Sequence, residues 1–420
     1  MDYSTDNITL TTMDTLLNIS GTNVPSEQQQ ECKLGYIPGV ASQATVDRLK
    51  HFAIEYTVIH GYISAIVCTF GIMANIANII VLTRKNMISS TNTILMWLAV
   101  ADLFTMMSYL SFAFCFYIFR EPNLEKFLTR SFARIVLLLF HASFSMVCHT
   151  VAIWLTIALA IFRYIYICLP TKGAIYCSLR RAKQTILVVY VLTVILCVPN
   201  YISNRYYTKT TVVNSSQLAN STNETNVLVT ETVYLPGSME GSDMAVAIFT
   251  LNSWIQAILF KLIPCAMLTT LTILLIHAMH KAYRKRMRLK SQGRKAESEK
   301  HGEHNRTTGM LLAVVVLFTL TELPQGILTL MNIFKQHQCF RQYVYDALGD
   351  LVDTMALMNN SINFVLYCSM SKQFRDTFMG IFCKCFNKNP QGFLKMMPVT
   401  AATAANGHGG VGESKRMNTV

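Results

Sequence analysis

Along the chain, apolar positions gather into seven long runs, near residues 54–83, 92–119, 132–167, 182–203, 245–280, 307–334 and 344–370, with polar segments between them. A hydrocarbon layer about 30 Å thick is crossed by about 20 mostly apolar residues in a helix. The runs meet that length, so the pattern predicts an all-α membrane protein, a bundle of seven transmembrane helices. The fourth is the shortest, because "AKQTILVVYVLTVILCVPNYI" runs into Pro199. The two halves of the chain do not repeat one another, which argues against an inverted-repeat transporter. An odd number of crossings places the two chain ends on opposite sides of the membrane.

The polar residues inside the runs change the picture. Glu322 stands within "VVVLFTLTELPQGIL", two residues before Pro324. An ionised side chain at the centre of a membrane helix costs roughly 2.5–3.5 kcal/mol, so Glu322 must face protein or water. Asp102, Asn75, Asn359, Asn360 and Asn363 are further polar groups at membrane depth, where lipid offers them no partner and they must satisfy one another.

Composition agrees: 52% of the 420 residues are hydrophobic and only 14% are charged, against about 25% charged in a soluble chain. The net charge of +13 would suggest nucleic acid in a soluble protein. In a membrane protein its sidedness matters instead, and no nucleic-acid partner is expected. The segment Lys281–Arg306 carries ten Lys/Arg against three Glu, and Lys172, Arg180, Arg181, Lys183, Arg84 and Lys85 lie on the same face. The positive-inside rule makes that face cytosolic, with the amino terminus outside and the carboxyl terminus inside. No continuous apolar run precedes the first helix, which is expected to act as its own insertion signal. N-glycosylation triplets at Asn7, Asn18, Asn214, Asn220 and Asn223 all fall on the predicted outside. Those at Asn305, in the cytosolic loop, and Asn359, within a helix, are expected to stay unmodified.

A set of motifs then appears in order. Asn75 lies in the first helix, and "LAVAD" ends at Asp102 in the second. The third ends in "LAIFRYIYI", with Arg163 and Tyr164. Pro264 lies in the fifth, Phe318 and Pro324 in the sixth, and "NNSINFVLY", with Asn363 and Tyr367, in the seventh. "SKQFRDTF" follows as a short amphipathic helix along the membrane face. Over residues 53–382 this resembles the rhodopsin-like G-protein-coupled receptors. The resemblance implies a plasma-membrane receptor that activates a heterotrimeric G protein. Arg163, Tyr164, Ile153, Pro264, Phe318, Asn363 and Tyr367 would take part in activation and coupling. Around Asp102, the residues Asn75, Asn359 and Asn360 would either hold a sodium ion with waters or close as a plain hydrogen-bonded cluster. The organisation expected is an extracellular segment over 1–52, the receptor bundle over 53–370, the amphipathic helix over 371–382 and a cytosolic tail over 383–420.

The departures narrow the match. Phe162 replaces the acid before the arginine, Glu322 replaces the sixth-helix tryptophan, and Phe364 replaces the seventh-helix proline. No cysteine stands near Leu138 or between Tyr201 and Asp243. With "TELPQG" and "KLIPC", these features resemble the invertebrate receptors for myosuppressins, sex peptide and myoinhibitory peptides, and FMRFamide-like peptides. An amidated neuropeptide is the ligand this implies, with a G protein of the inhibitory class, no cofactor and no enzymatic activity. An opsin is disfavoured because Lys372 lies beyond the seventh helix, an aminergic receptor because Ser145 stands where an aspartate is needed.

Family register brings the fifth and sixth helices together at Lys261 and Glu322, two opposite charges at one depth that are expected to pair, as a switch or as structure alone. A peptide ending in arginine, an aromatic and an amide needs an acid and an apolar slot. Asp346, Asp350 and Asp353 share one face at the outer end of the seventh helix, with Asp353 deepest and first choice for the cation. Direct contact by Glu322 is a further expectation. Tyr109, Phe112, His149, Trp254, Gln256, Gln325 and Thr329 are expected pocket walls from register. The competing reading, a transporter or channel, would need polar rings along several helices, and the intramembrane charges are few.

Of twelve cysteines, Cys32 and Cys339 fall clearly in extracellular segments. They are expected to pair, holding the amino-terminal segment over the pocket mouth; the alternative leaves Cys339 free and pairs Cys32 between molecules. Cys383 and Cys385, juxtamembrane and cytosolic, are expected to be palmitoylated, or else to stay reduced thiols.

Overall fold

The computed structural model describes residues 43–119, 132–169, 173, 175–214, 228–237, 243–291, 316–317, 320–324, 326–328, 331 and 344–382. Helix α1 spans Gln43–Leu82. It therefore starts well before the apolar run at residue 54. No glycine or proline interrupts Gln43–Ile54, and Val46, with 1% of its surface exposed, anchors the extra turns. Helix α2 (Ser90–Ala113) is capped by Ser89, whose side chain accepts the Asn92 N–H at 3.1 Å, and it continues as a π-helical turn over Phe114–Ile118. Helix α3 covers Phe132–Cys168 and α4 Leu179–Leu196. A short α5 (Val198–Ser203) follows, with Pro199 in its first turn, where a missing N–H costs nothing.

The fifth crossing is α6 (Asp243–Ile255), a π-helical segment Gln256–Leu262, and α7 (Ile263–Ser291). The π segment abuts Pro264, whose ring cannot donate a backbone hydrogen bond and crowds the carbonyl four residues back, so the ladder widens there. Helix α8 (Asp346–Met370) is the seventh crossing and α9 (Lys372–Phe382) the amphipathic segment. Among the described residues, five helical stretches are long and apolar enough to cross a membrane: Ala44–Leu82, Ser90–Ile118, Phe132–Cys168, Leu179–Ser203 and Thr250–Ala278. The described parts of the sixth run are helical, and α8 is long enough but more polar. The chain is an all-α membrane bundle.

One addition to that bundle escapes the apolar pattern. Strands β1 (Arg205–Asn214) and β2 (Leu228–Gly237) pair antiparallel in register from Arg205↔Gly237 to Asn214↔Leu228. Tyr, Thr and Val dominate both strands, residues that favour a pleated surface. Tyr206 and Tyr234 pack their rings on Phe132 at the start of α3, each centroid 5.5 Å away. That aromatic contact joins the hairpin to the start of the third helix, a stretch without a cysteine.

Helix α1 packs between α2 and α8, α2 against α3 and α4, and α7 against α3. Gly71 makes the α1–α2–α8 meeting possible: a Cβ there would run into the Met106 sulfur, with Ser361 Cβ 3.1 Å away. The largest core cluster (Leu95, Leu98, Leu155, Leu159, Phe162, Tyr367, Phe374) lies at the α9 end of the bundle. Phe374 is 1% exposed and packs its ring 5.5 Å from Tyr367, while Arg375 donates to the carbonyls of Cys368 (3.0 Å) and Ser369 (2.9 Å) that end α8. Outward faces, such as Leu187, Val191 and Ile195 on α4, stay exposed as a lipid-facing helix requires.

Candidate functional site

The helices enclose a cavity of about 230 Å³, lined in part by Tyr109, His149, Ile153, Gln256, Lys261, Asp353 and Asn360. Two of its groups, Lys261 and His149, meet the carboxylate of Glu322, which stands behind the lining, in one polar constellation. Lys261, carried on the π segment, places Nζ 3.1 Å from Glu322 Oε2, and His149 Nε2 lies 3.2 Å from Oε1 and 3.3 Å from Oε2 of the same carboxylate. Lys261 Nζ and His149 Nε2 are 3.5 Å apart, both serving as donors to the one acid. Glu322 is 2% exposed, so its carboxylate is shielded from water, while Lys261 and His149 reach the cavity. The Cys265 thiol donates to the Glu322 carbonyl at 3.6 Å, and a Cβ on Gly326 would stand 3.1 Å from that sulfur, so a small residue is what lets the fifth and sixth crossings close around the pair.

Across the cavity, the two acids of α8 differ. Both oxygens of Asp350 are taken, Oδ2 by the Thr57 hydroxyl at 2.8 Å and Oδ1 by the Tyr117 hydroxyl at 2.9 Å. Asp353 faces the cavity and, among the described residues, has a single side-chain neighbour within hydrogen-bond reach, the Tyr109 hydroxyl at 3.3 Å. The shared helix face suggested by spacing thus divides into a structural acid and an open one. Asp346 has a side chain outside the described residues.

Two expected walls are corrected. Phe112 stacks on His141 at 4.4 Å and packs with Phe116, away from the cavity lining. Trp254 is 42% exposed and is likewise absent from the lining. Register counted back from Pro264 crosses the π segment, and each added residue turns the positions before it by about 100°. Gln325, Thr329 and Phe318 lie outside the described residues, as do Cys32, Cys339, Cys383, Cys385, Asn7, Asn18, Asn220 and Asn223. Asn214 ends β1.

Several groups were not singled out from sequence. His60, fully buried, contacts Thr354 at 3.1 Å, Tyr109 at 2.9 Å and Ser64 at 3.3 Å. His141 contacts Ser108 at 2.9 Å. Asn200 Oδ1 accepts from Gln256 Nε2 (3.3 Å) and Asn252 Nδ2 (3.5 Å). A lone histidine or asparagine inside an apolar run was the available signal, the same one that Glu322 gave.

Below the cavity, Asn363 Nδ2 donates to Asp102 Oδ2 at 3.1 Å, and Asn75 Nδ2 donates to the carbonyls of Gly71 and Asn360, both at 3.0 Å. Asn75 Oδ1 and Asn360 Oδ1 are buried with no protein partner among the described residues. Asn360 and Asn363 share a helix face, so a carboxylate and two orphan carbonyl oxygens gather in one region. Hard oxygen donors of this kind suit a monovalent cation, and equally suit water bridges. Asn359 is buried beside them.

At the α9 end, Arg163 has no adjacent acid, and its Nε is buried without a protein partner among the described residues. Phe162, 8% exposed, fills the core, and its carbonyl accepts the Cys177 thiol at 3.4 Å. Ile153 and Tyr164 pack with Leu268 and Leu275 of α7, Pro264 is buried, and Tyr367 is 2% exposed. Because Phe162 is core rather than half of an ion pair, Phe162→Leu is expected to reach the cell surface nearly as well as the unsubstituted protein. Phe162→Asp is expected to lose several-fold, from a buried charge and a vacated core site. Labelling of intact cells against total protein checks this.

Comparison with known proteins adds the following. The profile of the serpentine type 7TM GPCR chemoreceptors (Srw) matches residues 62–385. The chain is 30% identical over 363 residues to the G-protein coupled receptor dmsr-1 of Caenorhabditis elegans, covering 78% of this chain and 68% of that protein. It is 30% identical over 336 residues to the Sex peptide receptor of Drosophila melanogaster, covering 78% and 74%. It is 26% identical to the FMRFamide receptor of the same fly, covering 80% of this chain and 56% of that receptor.

Proposed function

Because the chain belongs to the serpentine seven-transmembrane family of G-protein-coupled receptors, we propose that it is a receptor for an amidated neuropeptide carrying an arginine near its carboxyl terminus. It sits in the plasma membrane with the amino terminus outside, and it activates a heterotrimeric G protein of the inhibitory class. The observation that carries the ligand reading is Asp353, an acid on the cavity wall with, among the described residues, a single hydroxyl within reach. A buried carboxylate with open lone pairs is the natural counterpart of a guanidinium, which fills two of them at once. The fly relatives, a sex peptide receptor and an FMRFamide receptor, are named as receptors for peptides and point the same way. Orientation rests on the basic residues of the first, second and third loops on the α9 side and on the glycosylation triplets opposite.

Amide recognition has its own support. Gln256 lines the cavity and donates to Asn200 Oδ1, which also accepts from Asn252, and among the described residues Asn200 Nδ2 and Asn252 Oδ1 keep no protein partner. A primary amide offers both a donor and an acceptor to such a carboxamide group; a carboxylate offers acceptors alone and meets the charge of Asp353. Replacing the terminal amide of a peptide agonist by a free acid is therefore expected to lower potency about ten- to hundredfold, the equivalent of one or two groups left unpaired at about 1–3 kcal/mol.

The test is a panel of synthetic peptide amides on cells expressing the chain, read by guanine-nucleotide exchange on added G protein, with and without pertussis toxin. Response to none of the arginine-containing amides would overturn the ligand class; a response that survives the toxin would overturn the G-protein class.

A further inference from the structure

The hydroxyl of Tyr109 stands between two acceptors and has one proton to give. It lies 2.9 Å from His60 Nε2 and 3.3 Å from Asp353 Oδ2. Which acceptor receives that proton is settled one helix away. Thr354 donates its own hydroxyl proton to the Asp350 carbonyl at 3.0 Å, so its oxygen can only accept, from Tyr56 at 2.9 Å and from His60 Nδ1 at 3.1 Å. His60 is 0% exposed, which favours the uncharged ring, and that ring has a proton on one nitrogen only. The proton is then on Nδ1, and Nε2 must accept. Tyr109 is nearer to Nε2 than Ser64 is, at 3.3 Å, and nearer than it is to Asp353.

We infer that His60 is a positioning residue for ligand recognition: by taking the Tyr109 proton it keeps Asp353 open for a cationic ligand group. The inference rests on the reading of Asp353 as the acceptor for the peptide's arginine. Thr354 sets the ring's tautomer, His60 engages Tyr109, and the carboxylate facing the cavity is left with unfilled lone pairs. If the ring is removed, or its tautomer released, the hydroxyl turns to Asp353 and competes with the ligand's guanidinium.

The experiment is a double-mutant cycle in the full chain, using Phe-Met-Arg-Phe-amide and its citrulline analogue, which has the arginine's shape without its charge. Potency is read by nucleotide exchange and normalised to surface receptor. His60→Phe is expected to lower the potency of the arginine peptide about tenfold and that of the citrulline peptide little. His60→Gln, which retains a donor and an acceptor, is expected to stay near the unsubstituted receptor. In a Tyr109→Phe background, where no hydroxyl competes, His60→Phe is expected to cost nothing. Thr354→Val, nearly isosteric, frees the tautomer and is expected to reproduce the arginine-selective loss even if His60→Phe fails to reach the surface. Equal losses for both peptides, or the same losses with and without the Tyr109 hydroxyl, would make His60 merely structural and overturn the inference. If Asp353→Asn leaves the preference for arginine over citrulline intact, the underlying reading of the cavity fails, and the inference with it.

Discussion

An Asp353→Asn receptor is expected to need roughly a hundredfold more of an arginine-containing peptide amide for half-maximal nucleotide exchange. Removing one partner of a buried, hydrogen-bonded charge pair costs about 2–5 kcal/mol, and each 1.4 kcal/mol is about tenfold. Asparagine keeps the shape of the aspartate and still offers an acceptor oxygen, so folding is spared and the loss falls on the ligand's charge. The citrulline analogue is accordingly expected to lose little. Asp350→Asn provides the contrast. Its carboxylate already receives Thr57 and Tyr117 at 2.8 and 2.9 Å, so weakening it should loosen α1 and α2 from α8 and lower the amount of surface receptor. The ratio of arginine to citrulline potencies should not move. Concentration–response curves for both peptides on both variants decide the matter; a collapsed ratio in Asp350→Asn with an intact one in Asp353→Asn would reverse the assignment of the two acids.

That distinction marks the limit of what the sequence could say about the site. Spacings of four and three put Asp346, Asp350 and Asp353 on one face, but what separates a saturated acid from an open one is Thr57, Tyr117 and Tyr109 on other helices. The crossings themselves were legible, because about 20 apolar residues in a row have few alternatives. Lys261 and Glu322 were legible as partners for a related reason: a charge inside such a run has to be answered, and the structure places the two 3.1 Å apart. His149, the third member, was expected only as a pocket wall, since a histidine in an apolar helix need not be charged. His60 gave no signal beyond its residue type. The hairpin was missed because "YYTKTTVV" sits among glycosylation triplets and polar residues that read as loop, although its β-branched content was visible. Trp254 was misplaced by a backbone feature, the π segment, that has no sequence signature except the proline that follows it.

The ionic constellation yields the second large effect. Lys261→Met leaves Glu322 with the His149 ring as its remaining side-chain partner among the described residues, and Glu322→Gln leaves a buried ammonium facing a neutral amide. Breaking one side of a buried pair costs about 3–5 kcal/mol, a large part of the roughly 5–15 kcal/mol that holds a typical fold. Each single variant is therefore expected to lose most of its surface receptor and to inactivate at lower temperature. The neutral double variant Lys261→Met with Glu322→Gln is expected to fold better than either single one, because no charge is left unanswered. The reversed pair, Lys261→Glu with Glu322→Lys, should recover only in part: His149 Nε2, 3.2 Å from the present carboxylate, would then point its donor at an ammonium. Adding His149→Gln, whose carbonyl can accept, should improve the reversed pair further. Surface labelling and thermal inactivation give that ranking. Basal nucleotide exchange per surface receptor separates the two roles the pair can have. A neutral double variant that folds and keeps ordinary basal exchange makes the bridge structural. One that folds with raised basal exchange shows that the bridge between the fifth and sixth crossings restrains the unliganded state. Single variants as abundant and as stable as the unsubstituted receptor would remove the buried bridge from the energetics of this protein altogether.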